Sequence, residues 1–310
     1  MSRGLCRRGP TVALALLTVP RTFWRFFSRE GAKAQSRSRW QILPLRLCGK
    51  TALQSASSIM TLLKPRVLRF ESLLSTNTEL ARLASEGADE GLSIVADEQT
   101  AGRGRLQRAW SSPKGAGLYF SILLRPTIPQ DQWPLITFAA ALAAADALHE
   151  ASDVQIDIKW PNDLLSGERK ICGILAETIE TPAGRAVIVG IGINLTQNAF
   201  SAELSDVATS VAAVSGRPPE REAILAALLR ALTRWYSLLH DAGGREKIVA
   251  AWANRSTYAS GKQVQVNNGG EVWQGITSGL EPDGALRLET ENGDIKLVRA
   301  GDVCSVRSAD

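Results

Sequence analysis

The sequence predicts a body of mixed helices and strands followed by a small all-β module. Between Met60 and about Tyr258, helix-period segments are interleaved with short apolar strands. Beyond Tyr258 the pattern changes to five short alternating segments, separated by Asn-Asn-Gly-Gly, Pro-Asp-Gly and Glu-Asn-Gly-Asp turns. Residues 1–59 show neither period. The expected division is therefore 1–59 as an N-terminal extension, 60–257 as the main domain and 258–310 as a small barrel.

Within the body, "RVLRFESL" (Arg66–Leu73) alternates like a strand. "STNTELARLASEGA" (Ser75–Ala88) reads as a helix, with Thr76 and Glu79 at capping-box spacing and leucines at 80 and 83. "LSIVADEQ" is a strand, and so is "GLYFSILLRP". Between these two strands lies "AGRGRLQRAWSSPKGA", a glycine-hinged loop with Arg103, Arg105 and Arg108. "QWPLITFAAALAAADALHEA" is an apolar, alanine-rich helix. "VQIDIKWPNDLL" is a strand entering a Pro-Asn-Asp turn, and "KICGILAET" and "AVIVGIGINL" are further strands. "PEREAILAALLRALTRWYSLLHDAGG" is a helix with a Gly-Gly stop. "KQVQVN", "VWQGITSGL", "ALRLET", "IKLVRA" and "VCSVRS" make the five strands of the barrel.

The first 59 residues hold nine Arg and two Lys against one acid, Glu30, leaving 25 basic and 30 acidic residues for the remainder. The overall charge of +5 therefore does not mark the body as a nucleic-acid binder. The run Thr11–Pro20 is too short to span a bilayer, and no small-residue cleavage site follows it. "CGKT" ends like a phosphate-binding loop, but Pro44 occupies the first glycine position. The methionines are Met1 and Met60, and regular pattern begins just after the second. Residues 1–59 are expected to be a disordered or targeting extension, or not part of the natural product.

Four cysteines (Cys6, Cys48, Cys172, Cys304) lie far apart with no CxxC spacing. That argues against a zinc site or disulfide framework and fits a reducing cytosol, so a cytoplasmic location is expected. The two histidines, His149 and His240, sit in helical patterns and read as surface or packing residues. Mechanisms built on a catalytic His or Cys are disfavoured. "GRGRLQ" and "GIGINL" both fail as dinucleotide fingerprints, with Gln107 and Leu195 at the third glycine position.

What remains is cationic and glycine-rich. Guanidinium groups match phosphate and carboxylate geometry. Lys159, before the Trp-Pro turn, should point at an anion or act as a protective charge on an edge strand. Asn162 and Asp163 suit a turn or the neighbourhood of phosphate and Mg²⁺. Lys170 precedes another apolar strand, and the glycines of "VGIGIN" allow close approach of a ligand. Joining a carboxylate to the α-phosphate of ATP is a reaction that fixed cations can run, because anion must meet anion.

"GRGRLQRAWSSPKGAGLYFSILL", "KWPNDLL", "KICGILAE" and "GIGINL" resemble, in order and spacing, the hallmarks of the biotin–protein ligases, over roughly Ser72 to the C-terminus. The resemblance implies an α+β catalytic domain related to class II aminoacyl-tRNA synthetases, followed by an SH3-like barrel. It implies biotinyl-5′-AMP made from biotin and ATP with Mg²⁺, then transfer of biotin to one lysine of a carboxyl-carrier domain, typically that of acetyl-CoA carboxylase. Carried over by motif, Ser75, Thr76, Asn77, Gln99, Gly190 and Gly192 line the biotin pocket. Arg103, Gly104 and Arg105 close over biotin and the adenylate. Lys159, with Arg105, is the expected catalytic residue, contacting the biotin carboxylate or the α-phosphate. Arg108, Trp110, Asn162, Lys170 and Asn194 neighbour the nucleotide. Many relatives carry a basic residue and a glycine where Leu106 and Gln107 stand. Residues 1–59 lack a helix-turn-helix pattern, so no DNA partner is expected, nor a membrane. Family dimers form through the catalytic sheet, and a homodimer stays open. The rival readings are lipoate or octanoyl transfer on the same fold, and a non-enzymatic biotin sensor.

Overall fold

The computed structural model describes residues 63–268 and 270–305, all within one compact unit. The expectations for residues 1–59 lie outside the described residues.

Seven strands form one sheet. They are β1 (Arg66–Leu73), β2 (Leu92–Gln99), β3 (Gly117–Leu124), β4 (Asp157–Lys159), β5 (Asp163–Ser166), β6 (Arg169–Thr181) and β7 (Gly184–Asn194). Their order is β1-β2-β3-β7-β6-β5-β4. β1 runs parallel to β2, and the other pairs are antiparallel. Helix α1 (Thr76–Ser85) makes the crossover that the parallel pair requires.

Alternation along the strands assigns the two faces. On β7, Val187, Val189, Ile191 and Ile193 enter the core under α2 (Pro134–Ser152). Ala186 and Ile188 point the other way, against Leu80 and Ala84 of α1. Continuing along that second face, β7 carries Gly190, Gly192 and Asn194 beyond the end of α1. The sheet is thus covered by helix at one end of this face and open at the other, and the cavity forms at the open end.

Helix α2 is apolar on all sides because it is sandwiched between β5, β6 and β7 and the outer helices α4 (Arg221–Leu238) and α5 (Gly244–Ala253). Short α3 (Val211–Ser215) follows the β7 exit. The C-terminal residues form a five-stranded antiparallel sheet from β8 (Ser260–Asn268), β9 (Glu271–Leu280), β10 (Leu286–Glu289), β11 (Ile295–Val298) and β12 (Asp302–Ser305), ordered β11-β10-β9-β8-β12. Its Val264, Val266, Leu286, Leu288 and Val298 join the core of the main sheet. Trp160 Nε1 fastens the two sheets by donating to Gly284 O at 3.0 Å.

Three local expectations change. The capping box does not form: Ser75 is the cap residue, without a side-chain cap bond, and Glu79 pairs with Arg82 at 2.6 Å. Gln99 takes that role, its Oε1 accepting from Thr76 N at 2.9 Å and Thr76 Oγ1 at 3.0 Å. The Pro-Asn-Asp turn is the bend of a β4–β5 hairpin, with a cis Trp160–Pro161 bond. The Gly-Gly stop is also a start. Gly243, at φ 68°, ends the turn, and α5 begins at Gly244, where a Cβ would collide with Leu238 O.

Candidate active site

A cavity of about 240 Å³ opens on the uncovered end of the main sheet. Its floor is set by a row of cross-strand partners: Tyr119, Gly192, Gly173 and Asp163 on β3, β7, β6 and β5. The adjacent row runs Ser121, Gly190, Leu175. The glycines are needed for room. A Cβ on Gly190 would collide with Asn77 Oδ1, and one on Gly192 would lie 2.6 Å from Trp110 Nε1.

One wall is a buried polar cluster at the start of α1. Ser75, Thr76 and Asn77 are each about 95% buried. Ser121 Oγ lies 2.7 Å from Thr76 Oγ1 and 2.6 Å from Asn77 Oδ1, so its single proton serves one of them at a time. Asn77 Nδ2 donates to Glu177 Oε2 at 2.7 Å, and Gln99 Nε2 to Ser112 Oγ at 2.8 Å. The cluster presents directional donors and acceptors on an otherwise apolar floor, the pattern of a site for an uncharged polar group on an apolar body.

The opposite end is cationic. Lys170 Nζ forms a 2.6 Å ion pair with Asp163 and stands 5.2 Å from the Trp110 ring centroid. A register shift between β5 and β6 explains its direction. Leu164 pairs with Cys172, but Leu165 pairs with Lys170, leaving Ile171 as an extra residue. Ile171 and Cys172 both enter the core, and the bulge turns Lys170 to the cavity face. Burial pushes the Cys172 thiol well above its ordinary range.

The arginine loop lies across the cavity. Arg103 pairs with Glu177 at 3.4 Å. Arg105 Nη1 donates to Asn162 Oδ1 at 3.1 Å and to Gly301 O at 3.3 Å. Burial lowers the Arg105 guanidinium from its ordinary value, and the Asp302 and Asp163 carboxylates oppose that. Arg108 pairs with Asp302. The Trp110 indole N–H is buried with no hydrogen-bond partner and is directed at the glycine floor.

Of the residues expected from sequence, Ser75, Thr76, Asn77, Gln99, Arg103, Gly104, Arg105, Arg108, Trp110, Asn162, Lys170, Gly190, Gly192 and Asn194 all line this cavity. Lys159 does not. It ends the edge strand β4, and its Nζ lies over the Tyr258 ring, 5.5 Å from the centroid. Asn194 is a brace, donating to Thr209 O at 3.1 Å. His149 and His240 are not on the lining.

Sequence reasoning did not find Ser121, which belongs to an ordinary-looking apolar strand. Its signal was a lone hydroxyl inside "LYFSILL". Nor did it find the apolar wall of Ala199, Phe200, Leu204, Val207 and Ala208, which follows β7 in two short 3₁₀ turns and loop, or Asp302 from the C-terminal sheet. Those depend on tertiary placement and leave no local pattern.

Residues 70–194 match the model of the Biotin/lipoate A/B protein ligase family, and residues 259–304 match the Biotin protein ligase C terminal domain. The bifunctional ligase/repressor BirA of Bacillus subtilis (strain 168) is 38% identical over 272 residues, covering 83% of this chain and 81% of that protein. The biotin–[acetyl-CoA-carboxylase] ligase of Mycobacterium tuberculosis (strain ATCC 25618 / H37Rv) is 33% identical over 239 residues, covering 75% and 86%. The structure of the Aquifex aeolicus biotin protein ligase in complex with biotin and ATP superposes with a TM-score of 0.67 at 30% identity, covering 78% of this chain and 99% of that one. The glycine floor, polar cluster and cationic rim thus stand in a chain that belongs to the biotin protein ligase family.

Proposed function

We propose that this protein activates biotin with ATP to give biotinyl-5′-AMP and passes the biotin to a lysine of a biotin carboxyl-carrier domain, that of acetyl-CoA carboxylase. The observation that carries the reading is the polarity of the cavity: a buried uncharged polar cluster at one end, a bare glycine floor, and Lys170 with the arginine loop at the other. A bicyclic urea fits the first, its aliphatic chain the second, and a carboxylate meeting a phosphate the third. Relatives named as biotin ligases, and the biotin and ATP of the Aquifex complex, support the same assignment.

In the first step the biotin carboxylate attacks the α-phosphorus and pyrophosphate leaves. Charge builds on the phosphoryl oxygens, and fixed cations that need no reorganisation stabilise it. Lys170 suits this better than Lys159, because it is on the cavity and already faces a carboxylate there. Arg105 is the second cation, held by Asn162. Arg103, Gly104 and Arg108 cover the intermediate and keep water from the labile acyl phosphate. The wall of Phe200, Leu204 and Val207 suits the flat face of adenine. In the second step the carrier lysine amine attacks the acyl carbon and AMP leaves.

Among the described residues no three His, Cys, Asp or Glu side chains converge as metal ligands. Asn162 Oδ1 and Asp163 are taken by Arg105 and Lys170, so they do not fit a Mg²⁺ site built by the protein. Mg²⁺ would come with the ATP phosphates. The finer fold names, a class II synthetase-like catalytic domain and an SH3-like barrel, are proposed with boundaries at 60–257 and 258–310. A site within the cytoplasm is also proposed. No helix among the described residues is long and apolar enough to cross a membrane. The proposal of no DNA partner rests on the pattern of residues 1–59, and specific, saturable operator binding by the full chain would refute it.

The deciding assay is exchange of labelled pyrophosphate into ATP by the full chain, with biotin, lipoate or octanoate. Exchange with biotin alone is the expected result. Exchange with lipoate moves the protein to acyl transfer of the neighbouring kind, and none with any acid favours a sensor.

A further inference from the structure

Arg103 is held by the main domain, through Glu177 of β6 and through Thr78 Oγ1 of α1 at 3.3 Å. Arg105 is shared between the β4–β5 turn, through Asn162 Oδ1, and the C-terminal sheet, and Arg108 turns to the C-terminal sheet. Arg105 reaches Gly301 O, and Arg108 reaches Asp302. Asp302 is the one C-terminal-sheet residue on the cavity lining among the described residues. Its partner turn is built for close approach: Gly301 has φ 129°, and a Cβ there would lie 2.6 Å from Asn267 O.

Between the two arginines stand Leu106 and Gln107, both left-handed, with φ 55° and 59°. Side chains rarely adopt this backbone unless surrounding contacts impose it. Leu106 is 67% exposed, so its own packing does not impose it. The contacts that flank the tip are those of Arg105 to Asn162 and Gly301 and of Arg108 to Asp302, supported by Gly104 N donating to Arg108 O at 2.7 Å.

We propose that Asp302, together with the Gly301 carbonyl, clasps the arginine loop across the cavity. Asp302 is a positioning residue that acts through Arg108. The C-terminal sheet thereby governs how long the reactive intermediate is retained and when the carrier lysine is admitted. The retention part rests on the adenylation reading; the clasp itself does not.

Two measurements separate these. The first uses the ligand-free full chain and follows trypsin cleavage after Arg103 and after Arg105 by mass spectrometry. Asp302→Ala should raise that cleavage about fivefold, the scale of one partly exposed ion pair acting on a local opening. In an Arg108→Ala background the same change should add nothing. Unchanged cleavage in Asp302→Ala, or effects that multiply in the double variant, would overturn the clasp. Should Asp302→Ala open the whole chain to trypsin, Asp302→Asn removes the charge at equal size and carries the same expectation. The second measurement is the release rate of biotinyl-5′-AMP, which should rise by a similar factor in Asp302→Ala and return toward wild type in Asp302→Glu. A wild-type chain that makes no adenylate, with loop cleavage still coupled to Asp302, would sink the adenylation reading and leave the clasp standing.

Discussion

Lys159 and Lys170 share a small piece of antiparallel sheet and end up in different places. Lys159 closes β4, the edge strand, and lies over Tyr258, which Lys262 also approaches at 5.3 Å. Lys170 is the second residue of the inner strand β6 and meets Asp163 on the cavity. Asp163 is the cross-strand partner of Lys159 on one side and of Gly173 on the other, so all three belong to one transverse row. Strands are about 4.8 Å apart, which sets the Lys159 backbone roughly 10 Å from the cavity floor at Gly173. Lys170 reaches the cavity because a single extra residue, Ile171, breaks the alternation. A lysine's place in an active site is thus decided by register, which neighbouring motif residues do not report.

The contrast is sharpest in catalysis. Lys170→Ala should lower pyrophosphate exchange by about 10²–10³-fold, the loss typical of one preorganised donor at a developing charge. Lys159→Ala should stay within about twofold, as for substitutions away from a site. The opposite ranking, measured on the same preparation, would return Lys159 to the reaction. Next in size is the glycine floor farther along the same row. Gly192→Ala should displace the Trp110 ring and weaken biotin turnover by roughly tenfold, a cost of the order that overpacking imposes. An unaffected KM for biotin would show that the row need not be bare.

Smaller effects test the Lys159 side. Tyr258→Leu removes a ring shared by two ammonium groups and should lower Tm by about 2 °C, with exchange rates unchanged. A drop in exchange would mean that this end of the row feeds the reaction after all. The smallest effect concerns Cys172, next to the bulge but on the core face. Because burial pushes its thiol up, the group stays protonated at neutral and mildly alkaline pH. Iodoacetamide at pH 8 should leave it unmodified in the native protein and label it after denaturation. Rapid native labelling would place Cys172, and with it the bulge, on the wrong face.

Much of this architecture was legible because hydrophobic period and turn chemistry act locally. β1 falls where alternation puts it, β2 falls on the segment expected as a strand, and the five C-terminal strands follow their glycine turns. α5 is hidden because a Gly-Gly pair reads as a terminator, although Gly244 opens a helix. β5 was hidden inside a Pro-Asn-Asp turn. Of the residues carried by motif, all but Lys159 line the cavity, whereas Phe200 and Asp302 on its lining and Ser121 behind its polar wall carry no local signal strong enough to single them out. Ser121 differs from its apolar neighbours by one hydroxyl, and its role depends on the two α1 side chains above it. Asp302 depends on where a second sheet docks.

The pairing of Arg108 with Asp302 spans 194 positions of chain. During synthesis, at about 5–20 residues per second, the loop would wait roughly 10–40 s for its partner to be made. Contacts of such high sequence separation also form late in folding, since loop closure must precede them. The catalytic sheet can therefore acquire its glycine floor and polar cluster well before the mouth of the cavity is complete. A nascent chain stalled before β12 would already hold the polar cluster and the glycine row, but not the carboxylate that ties the arginine loop across them.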